Sequence, residues 1–215
     1  MKKRLFIHSL AIIALIFTSA TLYSQQALFK DVKITPRWAF DPGFTSGNVI
    51  QRGTKTQLRW LLLDIDYTAV AMRKTKWLDD VTLEYKILLP KTSRRRVVLS
   101  GKIEYWAIQM DGNTHHAQAF VYPKILLRYA PGLKLKRKEL KELRITLTFI
   151  QNESVVGKAV YKPKSKMSGN ALAADLKKAM ANRSTLKVNN TVFSRNETPW
   201  RIININYYEL IKRKK

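Results

Sequence analysis

Beyond residue 27 the chain alternates apolar and polar residues with a period of two. The segment WLDDVTLEYKILLP shows it best: Val81, Leu83, Tyr85, Ile87 and Leu89 alternate with Thr82, Glu84 and Lys86. In an extended strand such alternate positions share one face, so the pattern predicts a strand buried on one side. LRITLTFIQ repeats it, with Leu143, Ile145, Leu147 and Phe149 set against Arg144, Thr146 and Thr148. QLRWLLLDIDYTAVA, 57–71, is apolar on both parities over Leu61 to Leu63, which predicts a strand covered on both faces. Further strands are expected at 29–36, 96–100, 102–110, 114–122, 124–129, 154–161, 186–194 and 200–210, where β-branched and aromatic residues are frequent. Pro123 lacks an amide proton for a ladder, so it marks an edge, a bulge or a strand end. Many short strands with turn signals between them predict a mainly β chain folded as a sandwich or barrel.

One segment departs from this period. In SGNALAADLKKAMANRS, Leu172, Leu176 and Met180 recur every four residues, with Ala173 and Ala179 beside them. This predicts a helix over about 170–182, capped by Ser168 or Asn170, with its apolar stripe laid on a sheet. Lys177, Lys178 and Arg183 fall towards its C-terminus, where the helix dipole favours positive charge. Pro131-Gly132 predicts a turn, and Lys136 to Leu143 a short helical turn leading into the next strand. The stretch 162–170, KPKSKMSGN, reads as a loop.

IQMDGNTHHAQAF, 108–120, raises the question of chemistry. Asp111-Gly112 is a favoured two-residue hairpin loop, because a type I′ turn needs two residues with positive φ. Pairing Met110 with Asn113 would set Ile108 opposite His115, Ala107 opposite His116 and Tyr105 opposite Gln118. Trp106, Ile108, Met110, Ala117, Ala119 and Val121 would then share a core face. Ile103, Tyr105, Ala107, His116, Gln118, Phe120 and Tyr122 would share the other, covered by the helix or free to meet a partner. Adjacent strand residues point to opposite faces, so His115 and His116 cannot grip one ion together without a bulge. Asp111 reads as a turn-former, and the histidines as residues of a strand end.

The start of the chain changes the compartment. Lys2, Lys3 and Arg4 precede an apolar run from Leu5 to Phe17, followed by Thr18-Ser19-Ala20. This is the anatomy of a secretory signal peptide over 1–24, cut after Ala20 or Ser24; an uncleaved N-terminal anchor is the other reading. The remainder, 25–215, is long enough for one domain with a real core. Cysteine is absent, so an exported domain would hold together by packing alone. The short lysine-rich start suits a Gram-negative bacterium, with the chain in the periplasm or on the outer surface.

Charge is the strongest compositional signal. Of 40 basic and 15 acidic residues, three basic ones lie in residues 1–24, leaving 37 against 15, a net +22. Such an excess attracts polyanions: anionic lipid, lipopolysaccharide, nucleic acid or an acidic protein. The basic runs are Lys91 with Arg94, Arg95 and Arg96; Lys134 with Lys136, Arg137 and Lys138; Lys158 to Lys166; and Lys212 to Lys215. Taken singly each is a solvated loop or tail; together they predict a basic end or face. Nucleic acid is disfavoured, because the aromatics that would stack on bases lie inside strands and because the chain is exported. Phosphate-binding glycine loops, nucleophile elbows and zinc-ligand motifs are missing from the sequence, so no catalytic, cofactor-binding or metal residue is assigned. Asp64 and Asp66 share a strand face, as paired acid/base carboxylates would, but read more simply as a wet face. The candidate interaction surface is therefore Tyr105, Phe120 and Tyr122 with Arg94, Arg95, Arg96, Lys136, Arg137 and Lys138.

WLDDVTLEYKILLP (77–90), YWAIQMDGNTHHAQAFVYP (105–123), LRITLTFIQNESVVGKAVY (143–161) and the late helix together resemble one family. It is the exported immunoglobulin-like protein encoded among type IV pilus genes in Akkermansia and other Verrucomicrobia. The resemblance implies an immunoglobulin-like antiparallel sandwich and a part in pilus assembly or surface display, with pilus or secretion-assembly proteins as partners. It carries no catalytic residue over.

Overall fold

The computed structural model describes residues 27–40, 59–72, 75–91, 95–163, 168–202, 208–209 and 211–212. The expected signal segment, 1–24, lies outside them. The period-two stretches form strands. These are β1 (Phe29–Ala39), β2 (Trp60–Ala69), β3 (Trp77–Leu88), β4 (Val97–Gln109), β5 (Thr114–Val121), β6 (Arg144–Gln151) and β7 (Ser154–Val160). Two short pieces follow late in the chain, β8 (Leu186–Val188) and β9 (Phe193–Ser194). They build two sheets, a four-stranded one ordered β1-β2-β5-β9 and a five-stranded one ordered β7-β6-β3-β4-β8. All pairings are antiparallel except that of β4 with β8.

The sheets meet across the side chains that alternation places inward. Val81, Leu83, Tyr85 and Ile87 from β3 and Ile145, Leu147 and Phe149 from β6 are buried against Leu61, Leu63, Ile65 and Tyr67 from β2. Phe29 stacks on Phe149 at 4.3 Å and meets Tyr67 edge-on at 5.5 Å. Leu61 to Leu63 are fully buried, as a strand covered on both faces requires. The chain is thus a mainly β sandwich with one long helix.

Both flanks of the sandwich are closed by chain that passes from sheet to sheet. On one flank, Leu28 donates its amide to the Val156 carbonyl at 2.9 Å, and its own carbonyl accepts the Val70 amide. On the other, the segment from β8 to β9 crosses over: Thr191 bonds Ser100 of β4, and Phe193 pairs with Phe120 of β5. The expected single strand at 186–194 is therefore two pieces in different sheets. Gly101 permits the crossing, because a Cβ there would lie 2.7 Å from the Val192 carbonyl oxygen.

The long helix, α3 (Gly169–Ala181), follows two short ones, α1 (Pro123–Tyr129) and α2 (Arg137–Leu140). Ser168 caps α3 by accepting the Ala171 amide, and Leu176 and Ala179 pack on Leu88 and Val98 on the outer face of the five-stranded sheet. Asp175 adds ion pairs to Arg96 at 2.9 Å and Arg144 at 3.7 Å. Among the described residues no helix is long and apolar enough to cross a membrane.

Four local expectations are corrected. Residues 124–129 form α1 rather than a strand, with Pro123 in its first turn, where a missing amide proton costs nothing. Residues 199–202 form a 3-10 turn, and the stretch 203–207 lies outside the described residues. Asp111-Gly112 is not a hairpin loop. Only Gly112 has positive φ, and the Asp111 carboxylate accepts the Asn113 amide instead. Gly112 and Asn113 bond to Ala69 of β2 while Met110 bonds to Lys76, so the chain turns a corner from one sheet into the other. β4 and β5 are not partners, and the proposed cross-strand register falls with them. The type I′ geometry sits elsewhere: Asn152 (φ 46°) and Glu153 (φ 63°) join Gln151 to Ser154.

The fourth correction concerns the faces of β4. Tyr105 and Ile108 are both buried, as are Leu78 and Val81 on the paired strand. The alternation slips by one on both strands at the rung of Asp79–Asp80 and Trp106–Ala107, where Asp80 has φ 57°. Trp106, expected in the core, consequently points outward and is 59% exposed.

Candidate functional site: a histidine corner and two unlike ends

The histidines stand at the corner between the sheets. β5 pairs with β2 so that His115 lies opposite Tyr67 and His116 opposite Asp66. Strand geometry then sends the two rings to opposite faces. His115 faces inward, stacked on Tyr67 at 5.7 Å, with Nε2 at 3.0 Å from Asp111 and Nδ1 at 2.5 Å from Glu209. His116 faces outward and bonds Asp66 at 2.8 Å. Both ring nitrogens of His115 are held by carboxylates, and its side chain is only 12% exposed. These contacts clasp the corner to the C-terminal segment.

The electrostatics of the clasp follow from its surroundings. The amide of Asn113, with help from His115, holds the Asp111 carboxyl down at about 2. Burial pushes the Glu209 carboxyl up, and His115 pulls it partly back. Beside it, burial raises the hydroxyls of Tyr67, Tyr85 and Tyr105 well above the ordinary tyrosine range. The C-terminal segment is stitched to both sheets: Glu209 donates its amide to His116, Lys212 to Glu104, and Ile211 bridges Tyr105.

Asp64 and Asp66 do share the outer face of β2, but each is engaged. Asp64 pairs with Arg37 at 2.8 Å and accepts from Gln118 at 2.7 Å; Asp66 is held by His116. Among the described residues no group of three or more histidine or acidic side chains is placed to hold a metal ion.

In the aromatic part of the expected interaction surface, Tyr105 and Phe120 are buried and Tyr122 is half-buried. Tyr105 belongs to the main core at 1% exposure, which removes it from any surface. Phe120 is fully buried with Trp60 and is covered by Trp200, stacked on it at 5.0 Å. Tyr122 meets Phe193 edge-on and donates to the Glu197 carbonyl. The part of the outer face of the four-stranded sheet around Trp60, Leu62 and Phe120 is thus covered by the late segment that carries Trp200, and not by α3. The basic part fares differently. Lys136, Arg137 and Lys138 are exposed on and before α2, Arg95 is exposed, Arg96 pairs with Asp175, and Arg94 lies outside the described residues.

Topology gathers these cations. The β3–β4 connection and the long β5–β6 connection leave the sandwich at one end, where Trp38 Nε1 and Arg59 also bond the Lys136 and Leu135 carbonyls. Arg95, Lys134, Lys136, Arg137, Lys138 and Lys141 are exposed there. The opposite end of the five-stranded sheet mixes Asp79, Asp80, Glu104 and Glu153 with Lys76, Lys102 and Lys212, beside two exposed tryptophans, Trp77 at 51% and Trp106 at 59%. The sequence hid this second end: its carboxylates and tryptophans come from three segments, and only pairing brings them together.

A β-sandwich with a partly covered sheet, a carboxylate-clasped corner and unlike ends is the class of protein these observations define. The chain belongs to the family whose model matches residues 20–215. A crystal structure from Akkermansia muciniphila is similar to it, with a TM-score of 0.59 and 16% identity over 87% of this chain and 96% of that one. At that identity the likeness is one of fold. No curated protein matches the chain.

Proposed function

We propose that this chain is an exported, non-enzymatic, immunoglobulin-like module of the cell envelope that works through protein–protein contacts in type IV pilus assembly or surface display. The observation that carries the reading is the exposed tryptophan pair, Trp77 and Trp106, on the outside of a sheet whose other half is covered by α3. Tryptophans are rarely left in water without use and dominate interface energetics. Engaged carboxylates at Asp64, Asp66 and Asp111 and a doubly bonded His115 leave the described polar clusters as structural ties. The edges are guarded: β1 carries Pro36, Lys33 and a bulge between Lys30 and Lys33, which blunt strand-to-strand addition. Contacts through the sheet face and ends suit the molecule better. Cross-linking in intact cells followed by pull-down is expected to recover pilus or secretion components; recovery of cytoplasmic proteins alone would overturn the reading.

A second reading has its own observation. Convergence of two basic runs at one end of the sandwich favours contact with anionic lipid or lipopolysaccharide.

A further inference from the structure

We infer that seating the C-terminal segment takes up one proton at the contact between His115 and Glu209, so that rising pH releases the segment and uncovers Trp106. The inference rests on the protein-contact reading above and names a regulation of its tryptophan surface. The segment lies across the edges of both sheets. Glu209 donates its amide to the His116 carbonyl of β5, Lys212 donates to the Glu104 carbonyl of β4, and Ile211 bridges Tyr105. None of Tyr208, Glu209, Ile211 and Lys212 is fully buried, so apolar packing alone does not lock them in place. The Lys212 ammonium lies 4.9 Å from the centre of the Trp106 ring and pairs with the Asp80 carboxylate, which shields part of that tryptophan.

Proton counting sets the linkage. His115 places Nε2 3.0 Å from Asp111 and Nδ1 2.5 Å from Glu209. Each contact needs a proton between nitrogen and oxygen, because a bare ring lone pair repels a carboxylate oxygen. The seated clasp therefore holds two protons. Once the segment leaves, a neutral ring holds one, and a histidine in water is neutral above about pH 6.5. The seated form carries the extra proton, so it is favoured at low pH and weakens as pH rises. Burial, which pushes the Glu209 carboxyl up, acts in the same direction. The groups facing the clasp keep their charge states across that range. Asp111 is held at about 2 and stays ionised. Tyr67 of β2, Tyr85 of β3 and Tyr105 of β4 are raised above the ordinary tyrosine range and stay protonated. Arg195, near Tyr105 and over the Tyr208 ring, keeps its charge although burial lowers it. On the outer face His116 pairs with Asp66 and Lys212 with Asp80. His116, the other histidine of the corner, is the control.

Amide exchange of the mature chain, followed by NMR from about pH 6.5 to 8 and corrected for intrinsic rates, tests this. The Glu209 and Lys212 amides are expected to lose about tenfold in protection per pH unit, the slope of one linked proton, while Leu83 and Leu147 in the central strands keep theirs. Glu209→Gln should abolish the slope with the segment still seated, because its side-chain amide donates to Nδ1 of a neutral ring whose Nε2–H meets Asp111. His116→Gln should keep the slope. Thermal melts check that both variants retain the fold. Flat protection in the parent, a slope that survives Glu209→Gln, a Glu209→Gln segment open at every pH, or a slope lost in His116→Gln would overturn the inference. So would a Lys212 amide that stays protected while that of Glu209 opens, since Trp106 would then stay covered. A pull-down that recovers no pilus or secretion components beside the expected slope would sink the protein-contact reading and leave the proton switch standing.

Discussion

At the scale of single residues, the corner shows how far local sequence carries. Asp111, Gly112 and the two histidines were visible as a group, and strand parity correctly separated the histidine rings. The partner that gives His115 its role, Glu209, is 94 positions away, and no local pattern links them. One signal was available: Glu209 is the sole acid after Glu197 in a basic C-terminal stretch. Asp111 offers a direct test. Its carboxyl is held at about 2, below an ordinary value near 3.8, chiefly by the Asn113 amide. A depressed folded-state value contributes stability above the ordinary value, and that contribution fades as pH falls towards 2. Asp111→Asn is therefore expected to lower the melting temperature at neutral pH, with the two proteins converging as pH drops from 4 to 2. Thermal melts across that window check it; parallel curves would show that the carboxylate is not linked to folding.

At the scale of elements, the strands and α3 were legible because burial imposes a period. Val81 to Ile87 and Leu143 to Phe149 alternate as a one-sided core demands, and Leu172, Leu176 and Ala179 mark the buried stripe of α3. Connections were less legible, since a dipeptide fixes a turn only in its context. Asp111-Gly112 suits a hairpin, yet the flanking strands belong to different sheets, while Asn152-Glu153 makes the tight turn without any glycine. The slip in alternation at Asp79–Asp80 moved Trp106 from the expected core to the surface for the same reason. The crossing from β8 to β9 depends on one small residue. Gly101→Ala puts a methyl group against the Val192 backbone, which cannot rotate away as a side chain would. A destabilisation of about 1–3 kcal/mol is expected, the range for overpacking a filled site. Urea unfolding measures it, and loss of amide protection at Thr191 and Leu186 before the central strands would place the damage at that crossing.

At the scale of the whole molecule, composition states how much charge there is and topology states where it goes. An excess of basic residues spread evenly would make a generally sticky protein. Here the β3–β4 and β5–β6 connections emerge together, so cations from runs about forty residues apart in sequence share one end. Strand direction alone would have put them there, but only once β3 was known to pair with both β4 and β6. This asymmetry makes the second reading testable by position rather than by amount of charge. Lysine and arginine near an anionic membrane surface contribute about 1 kcal/mol each. Replacing Lys136, Arg137 and Lys138 together by alanine is thus expected to weaken binding to vesicles containing anionic lipid by about 3 kcal/mol, roughly a hundredfold. Replacing Lys30, Lys33 and Lys76, which are exposed at the opposite end, removes the same charge and should cost far less. Vesicle co-sedimentation of the two triple variants distinguishes the cases. Equal losses would mean that lipid senses net charge alone, and that the gathering of cations at one end serves contacts with protein instead.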